Sequence, residues 1–99
     1  MIENVIYLHL LQRGYKVTVE ILRAGEIDFV AEKGSERIYV QSTYLLASEE
    51  TIKREFGNLE AIKDNYPKYV VSLDPVSGGL DDYPGIRHVN LRQFLLSDL

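Results

Sequence analysis

The sequence predicts a mixed α/β domain, and three observations carry that prediction. Three consecutive segments alternate apolar and polar residues with a period of two, and the turns joining them are too short for anything but antiparallel neighbours. An amphipathic stretch over residues 49–64 then leads to a short apolar run, Tyr69-Val70-Val71-Ser72-Leu73, and a connection of that length can return a strand in parallel with the third. With 99 residues, 45% hydrophobic content and three prolines, the chain has material for one core and not for two.

Each element has its own local reason. Residues 2–13 read as a helix because Ile2, Val5, Ile6, His9 and Leu10 or Leu8 recur at helical spacing; Glu3 suits the positive end of the helix dipole, and Gly14 supplies the left-handed stop. His9, without a second histidine nearby in sequence, is expected as a partly buried core residue. Tyr15, Val17, Val19 and Ile21 alternate with Lys16, Thr18 and Glu20 in a strand with one buried face. Arg23-Ala24-Gly25 turns the chain into the strand Glu26–Glu32, and Lys33-Gly34-Ser35-Glu36 turns it again into Arg37–Tyr44.

Ser48 is a good N-cap for the helix 49–64, whose face is Ile52, Phe56, Leu59 and Ile62 and which Pro67 closes. Residues 74–85, with two prolines and three glycines, are expected as a surface loop, and its Asp81-Asp82 pair lacks the alternating oxygen spacing of a calcium cage. Ile86–Val89 is a short strand, and Asn90 caps a last helix, Leu91 to Leu96, that turns Leu91, Phe94 and Leu95 to the sheet. The sheet is expected to hold about four or five strands.

Composition excludes several classes of function. No apolar run is long enough to span a membrane, and Met1-Ile2-Glu3-Asn4 lacks the basic start of a signal peptide. The absence of cysteine excludes disulfides and thiolate zinc sites, and it fits a reducing cytoplasm, the expected location. A net charge of −4 argues against general affinity for nucleic acid and leaves a local basic patch as the route to one.

The candidate site lies on the second and third strands. Strict alternation puts Asp28 with Val30 on one face, and Gln41 with Thr43 on one face of the next strand, opposite Ile38, Val40, Ser42 and Tyr44. Where Asp28 and Gln41 share a side of the sheet, a carboxylate and an amide oxygen converge, as in a metal site or the remains of one. Asp28, Gln41 and Thr43 are therefore expected to line one polar pocket, with Glu3 near its rim. A polar patch of hydrogen bonds between sheet and helix is the competing reading of the same residues.

The order helix, three strands, helix, strand, strand, helix resembles the PD-(D/E)XK nuclease superfamily, with its restriction-endonuclease-like αβββαβ core. The residues that carry the likeness are Glu3 in the first helix, Ile27-Asp28-Phe29 in the second strand and Ile38-Tyr39-Val40-Gln41-Ser42-Thr43 in the third. Glu3-Asn4-Val5-Ile6-Tyr7-Leu8 followed by Glu26–Glu32 is similar to the nuclease-like domain at the C-terminus of bacterial and archaeal ATPases of the AAA+ class. The resemblance implies a metal site of Glu3, Asp28 and Gln41, with Mg²⁺ or Mn²⁺ as the ion; the residues by themselves demand no cofactor. It also places Gln41 where a second carboxylate belongs and Thr43 where a lysine belongs, so Asp28, Gln41 and Thr43 form a degenerate catalytic set; Lys16 or Lys33, on a neighbouring strand or turn, is a candidate to supply the ammonium, though the spacing demands neither.

The function so implied is an interaction or regulatory module of a longer ATPase, with DNA as a ligand and without hydrolysis; the alternatives are a metal-dependent DNA or RNA endonuclease and a homodimerisation module. The partners are then the ATPase domain of the same protein, nucleic acid, or a second copy, and no membrane. The chain carries no phosphate-binding loop of the form G-x-x-x-x-G-K-[ST], so an ATPase activity would have to reside in another domain, with Met1 an introduced start.

Overall fold

The three alternating segments form the expected meander. After α1 (Ile2–Gln12), strands β1 (Lys16–Leu22), β2 (Gly25–Lys33) and β3 (Glu36–Ser42) pair antiparallel in sequence order. Helix α2 (Glu49–Glu60) crosses over to β4 (Lys68–Ser72), which runs parallel to β3 as the length of the connection requires. The two-residue β5 (Gly78–Gly79) and β6 (Ile86–Asn90) complete one mixed sheet in the order β1-β2-β3-β4-β6-β5, and α3 (Leu91–Leu96) follows. This computed structural model describes residues 2–22, 25–46, 48–74, 78–79, 83 and 85–97. Among them no helix is long and apolar enough to cross a membrane.

Period-two alternation divides the core into two layers. Phe29, Ala31, Ile38, Val40 and Val71 pack with Ile2, Ile6 and Leu10 of α1 and Phe94 of α3. Ile27, Val30, Tyr39, Val70 and Ile86 pack with Phe56 and Leu59 of α2 on the opposite face. Leu91 and Leu95 support the first layer beside the fully buried Phe94, as expected. Gly14, at φ 90°, lets the chain leave α1 while its N–H and that of Tyr15 satisfy the carbonyls of Leu11 and Leu10. Ser48 caps α2 by accepting the Thr51 N–H, and Asn90 caps α3 by accepting that of Gln93.

Four expectations need correction. Helix α2 stops at Glu60 and not at 64, because Asp64 makes a competing local network: its carboxylate accepts the Tyr66 N–H at 3.0 Å, Lys68 Nζ at 2.8 Å and the Tyr39 hydroxyl at 2.7 Å. Strand β3 stops at Ser42, so Thr43 and Tyr44 lie beyond it. The loop 74–85 contributes Gly78 and Gly79 to the sheet as an edge beside β6, giving a sixth strand; its Asp81-Asp82 pair lies outside the described residues.

The alternation of β2 is also broken. Thr18 pairs with Val30 but Glu20 pairs with Ile27, so β2 carries one more residue than β1 across that interval. This bulge at Asp28-Phe29 explains why Ile27 and Val30 share the α2 layer although three positions apart. Asp28 therefore does not simply follow the face of Val30.

Candidate functional site

The bulge opens the sheet at the end of β2. Paired residues of β2 and β3 run only to Phe29 opposite Val40, and beyond that point the strands are held by side chains. The N–H groups of Tyr39 and Thr43 point to β4, where they meet the carbonyls of Pro67 and Val71 at 3.0 Å, so by alternation the Ser42 N–H points to β2. There the Asp28 carboxylate takes the place of a backbone carbonyl: Oδ2 accepts the Ser42 N–H at 2.8 Å and its hydroxyl at 3.0 Å. Gln41, 1% exposed, returns the link by accepting the Asp28 N–H on Oε1 at 2.7 Å.

The structure thus brings Asp28 and Gln41 together, but through the backbone of one and the amide of the other. Thr43 stands one residue past the strand, half-buried. Glu3 is exposed in the first turn of α1, where backbone hydrogen bonding at the helix start holds its carboxyl below the ordinary range. Neither lysine reaches in. Lys33, at the far end of β2, donates to the Arg13 carbonyl at 2.9 Å and lies over the Tyr15 ring, and Lys16 is opposite Glu32.

Two features escaped the sequence reading. Glu55 of α2 has a side chain only 12% exposed, and burial pushes its carboxyl above the ordinary range; the Asp28 charge pushes the same way and Arg54, at 3.2 Å, opposes them. Its position was legible, since Ile52, Glu55, Phe56 and Leu59 fall on one helical stripe. The second feature is Ser72, Asp74 and His88. Gln41, Val70 and His88 oppose one another across β3, β4 and β6, which puts the polar Gln41 and His88 on either side of the core residue Val70 on the α2 side of the sheet.

Ser72 Oγ lies 2.6 Å from His88 Nε2 and donates to Asp74 Oδ2 at 2.7 Å. The single hydroxyl proton goes to the carboxylate, so Nε2 carries the proton shared with Ser72. That is the reverse of a serine nucleophile facing a basic imidazole, and Ser72 is 0% exposed. The cluster is a clasp, in which Asp74 also accepts the Leu46 N–H at 2.8 Å and so ties the start of the α2 crossover to the end of β4. Burial would raise the Asp74 carboxyl, yet the Leu46 and Ser72 hydrogen bonds bring it below its ordinary range; burial lowers His88, against the pull of Asp74.

The donor set fits a resident divalent cation poorly. One Asp28 oxygen is occupied by Ser42, the Gln41 oxygen by the Asp28 N–H, and among the described residues no group of three or more Asp, Glu, His or Cys side chains gathers to hold a metal. What the arrangement does is close the splayed end of β2 and β3.

No protein-family model matches the chain. It is 44% identical over 71 residues to an uncharacterised protein of Haemophilus influenzae, an alignment that takes in 72% of this chain and 17% of that protein. The chain thus spans less than a fifth of the relative it matches.

Proposed function

We propose that this chain is a degenerate PD-(D/E)XK-like, restriction-endonuclease-like domain of a longer ATPase of the AAA+ class, serving as an interaction or regulatory module that recognises DNA without cutting it. The observation that carries the reading is the closed ring at the bulge, where Asp28 is bound to Ser42 and Gln41 to Asp28. A hard cation needs several negatively charged oxygens free to turn toward it, and here Gln41 supplies a neutral one already in use. Thr43 brings no ammonium to offset charge on an attacked phosphate. The element order and the parallel β3–β4 pair support the nuclease-like topology, and the much longer relative supports a modular origin.

A second reading, a metal-dependent endonuclease, has one observation in its favour: Glu55 lies within the field of Asp28, so two carboxylates are available if Asp28 leaves Ser42. The same experiment separates the readings. Purified protein is incubated with Mg²⁺ or Mn²⁺ and single- and double-stranded DNA and RNA, beside Asp28→Ala and Glu55→Gln, while DNA binding is followed by fluorescence anisotropy. The module reading predicts DNA binding without cleavage. Cleavage that needs metal and disappears in both variants overturns it.

A further inference from the structure

The two edges of the sheet are unequal. One is β5, two glycines long; the other is β1, seven residues, Lys16–Leu22, which among the described residues has β2 on one side of it only. An open strand of that length offers a row of backbone donors and acceptors to any extended chain, and edges not meant for pairing are usually short, bulged or charged along their length. Here the bulge is on β2, so β1 itself stays regular, and Val19 is 58% exposed on it.

We infer that this edge is the contact through which two copies of the chain associate, β1 pairing antiparallel with β1 of a second copy about a two-fold axis at Thr18. The sequence of the edge is self-complementary in that register. With Thr18 opposite Thr18, Val17 opposes Val19 of the other copy, and Lys16 opposes Glu20, each pair occurring twice by symmetry. A shift of the centre to Val19 puts Lys16 opposite Leu22 and Thr18 opposite Glu20, and both charge pairs are lost. Opposite charges and β-branched residues directly across an antiparallel pair are the favourable cross-strand combinations.

The faces agree with the register. Val17 packs against the layer under α1, and Val19, two positions on, shares that side. Pairing lays the exposed Val19 beside the other copy's Val17. Helix α1 packs over β1 and β2, and it is apolar on its outer side as well, with Tyr7 40%, Leu8 59% and Leu11 41% exposed. Glu3, Asn4 and Gln12 are exposed on α1 too, so Tyr7, Leu8 and Leu11 form an apolar patch beside polar surface, which a neighbouring molecule can cover. A second copy joined at β1 brings its own α1 alongside on the same face of the continuous sheet.

The proposal is independent of the nuclease-like reading, and a charge-swap experiment tests it on the 99-residue chain. Sedimentation equilibrium of the wild type should give twice the 11.3 kDa of one chain. Lys16→Glu and Glu20→Lys each turn two attractive pairs into two repulsive ones and should weaken self-association by about tenfold or more. An equimolar mixture of the two variants restores both pairs, since the acidic edge of one variant then faces the basic edge of the other at both positions, and should recover the dimer. The double variant Lys16→Glu/Glu20→Lys should recover it alone. Circular dichroism checks that each substitution leaves the fold intact. A wild type that stays monomeric, with β1 left for an extended segment of a longer polypeptide, overturns the proposal, and so does a dimer indifferent to the charge changes or variants that fail to rescue each other.

Discussion

Removing the Asp28 carboxylate should destabilise the fold by more than an ordinary surface change. Asp28→Ala deletes both acceptor bonds at Oδ2 and leaves the Ser42 N–H, on a residue 9% exposed, without the partner that replaces a ladder carbonyl. Hydrogen bonds to a charged acceptor contribute about 1.5–3 kcal/mol and a stranded buried donor costs about 1–3 kcal/mol, so a combined loss of about 2–4 kcal/mol is expected, the terms overlapping. Asp28→Asn keeps an acceptor for Ser42 and relieves Glu55 of a negative neighbour, and its cost should stay near or below about 1 kcal/mol. Urea unfolding at pH 7 with chelator present measures both. The side-chain carbon shift of Glu55, followed against pH, should show its raised pKa falling toward the ordinary carboxylate value in Asp28→Asn. An alanine variant within about 0.5 kcal/mol of wild type would refute the reasoning, because surface substitutions far from any network fall in that range.

The double change Gln41→Glu with Thr43→Lys adds a carboxylate at the buried Gln41 position beside Asp28; the metal-free variant should melt below wild type, and Mn²⁺ should recover part of the loss for the variant alone. His9→Leu should raise the unfolding free energy by about 1 kcal/mol, and the urea midpoint with it, because the buried Nε2 of His9 has no hydrogen-bond partner among the described residues and its ring lies against Phe94. Burial lowers the folded pKa of both His9 and His88 from 6.5, with Arg13 also lowering that of His9. The unfolded chain therefore takes up these protons first, so stability should be full above about pH 6.5 and fall as the pH drops through the two folded values, with part of that slope gone in His9→Leu.

The elements were legible because their signals are local. Ser48, Asn90 and Gly14 stand at helix ends for reasons their neighbours do not affect, and the alternation of Arg37 to Val40 maps directly onto the two core layers. The bulge was not legible, since Glu26-Ile27-Asp28-Phe29-Val30 alternates acceptably in either register and only the pairing with β1 shows the extra residue. That single residue decides how Asp28 is presented. It is the reason the sequence pointed to a convergence of Asp28 and Gln41 but not to the backbone-to-amide bond that joins them. The early end of α2 escaped for a related reason: Asp64 finds its partners on β3 and β4, which no helical periodicity records. Glu55 and His88 were visible as polar residues on apolar stripes, and their significance depends on Asp28 and Ser72 across the fold.

The most direct test of the closed bulge is a titration of the isotopically labelled protein with Mn²⁺, read as paramagnetic broadening of backbone amide signals. With Asp28 tied to Ser42 and Gln41 to Asp28, the amides of Asp28, Gln41 and Ser42 should broaden no more than those beside exposed carboxylates such as Glu36 and Glu60. Selective loss of the Asp28, Gln41 and Ser42 signals at low Mn²⁺, absent in Asp28→Asn, would contradict the account and mark the bulge as a working metal site.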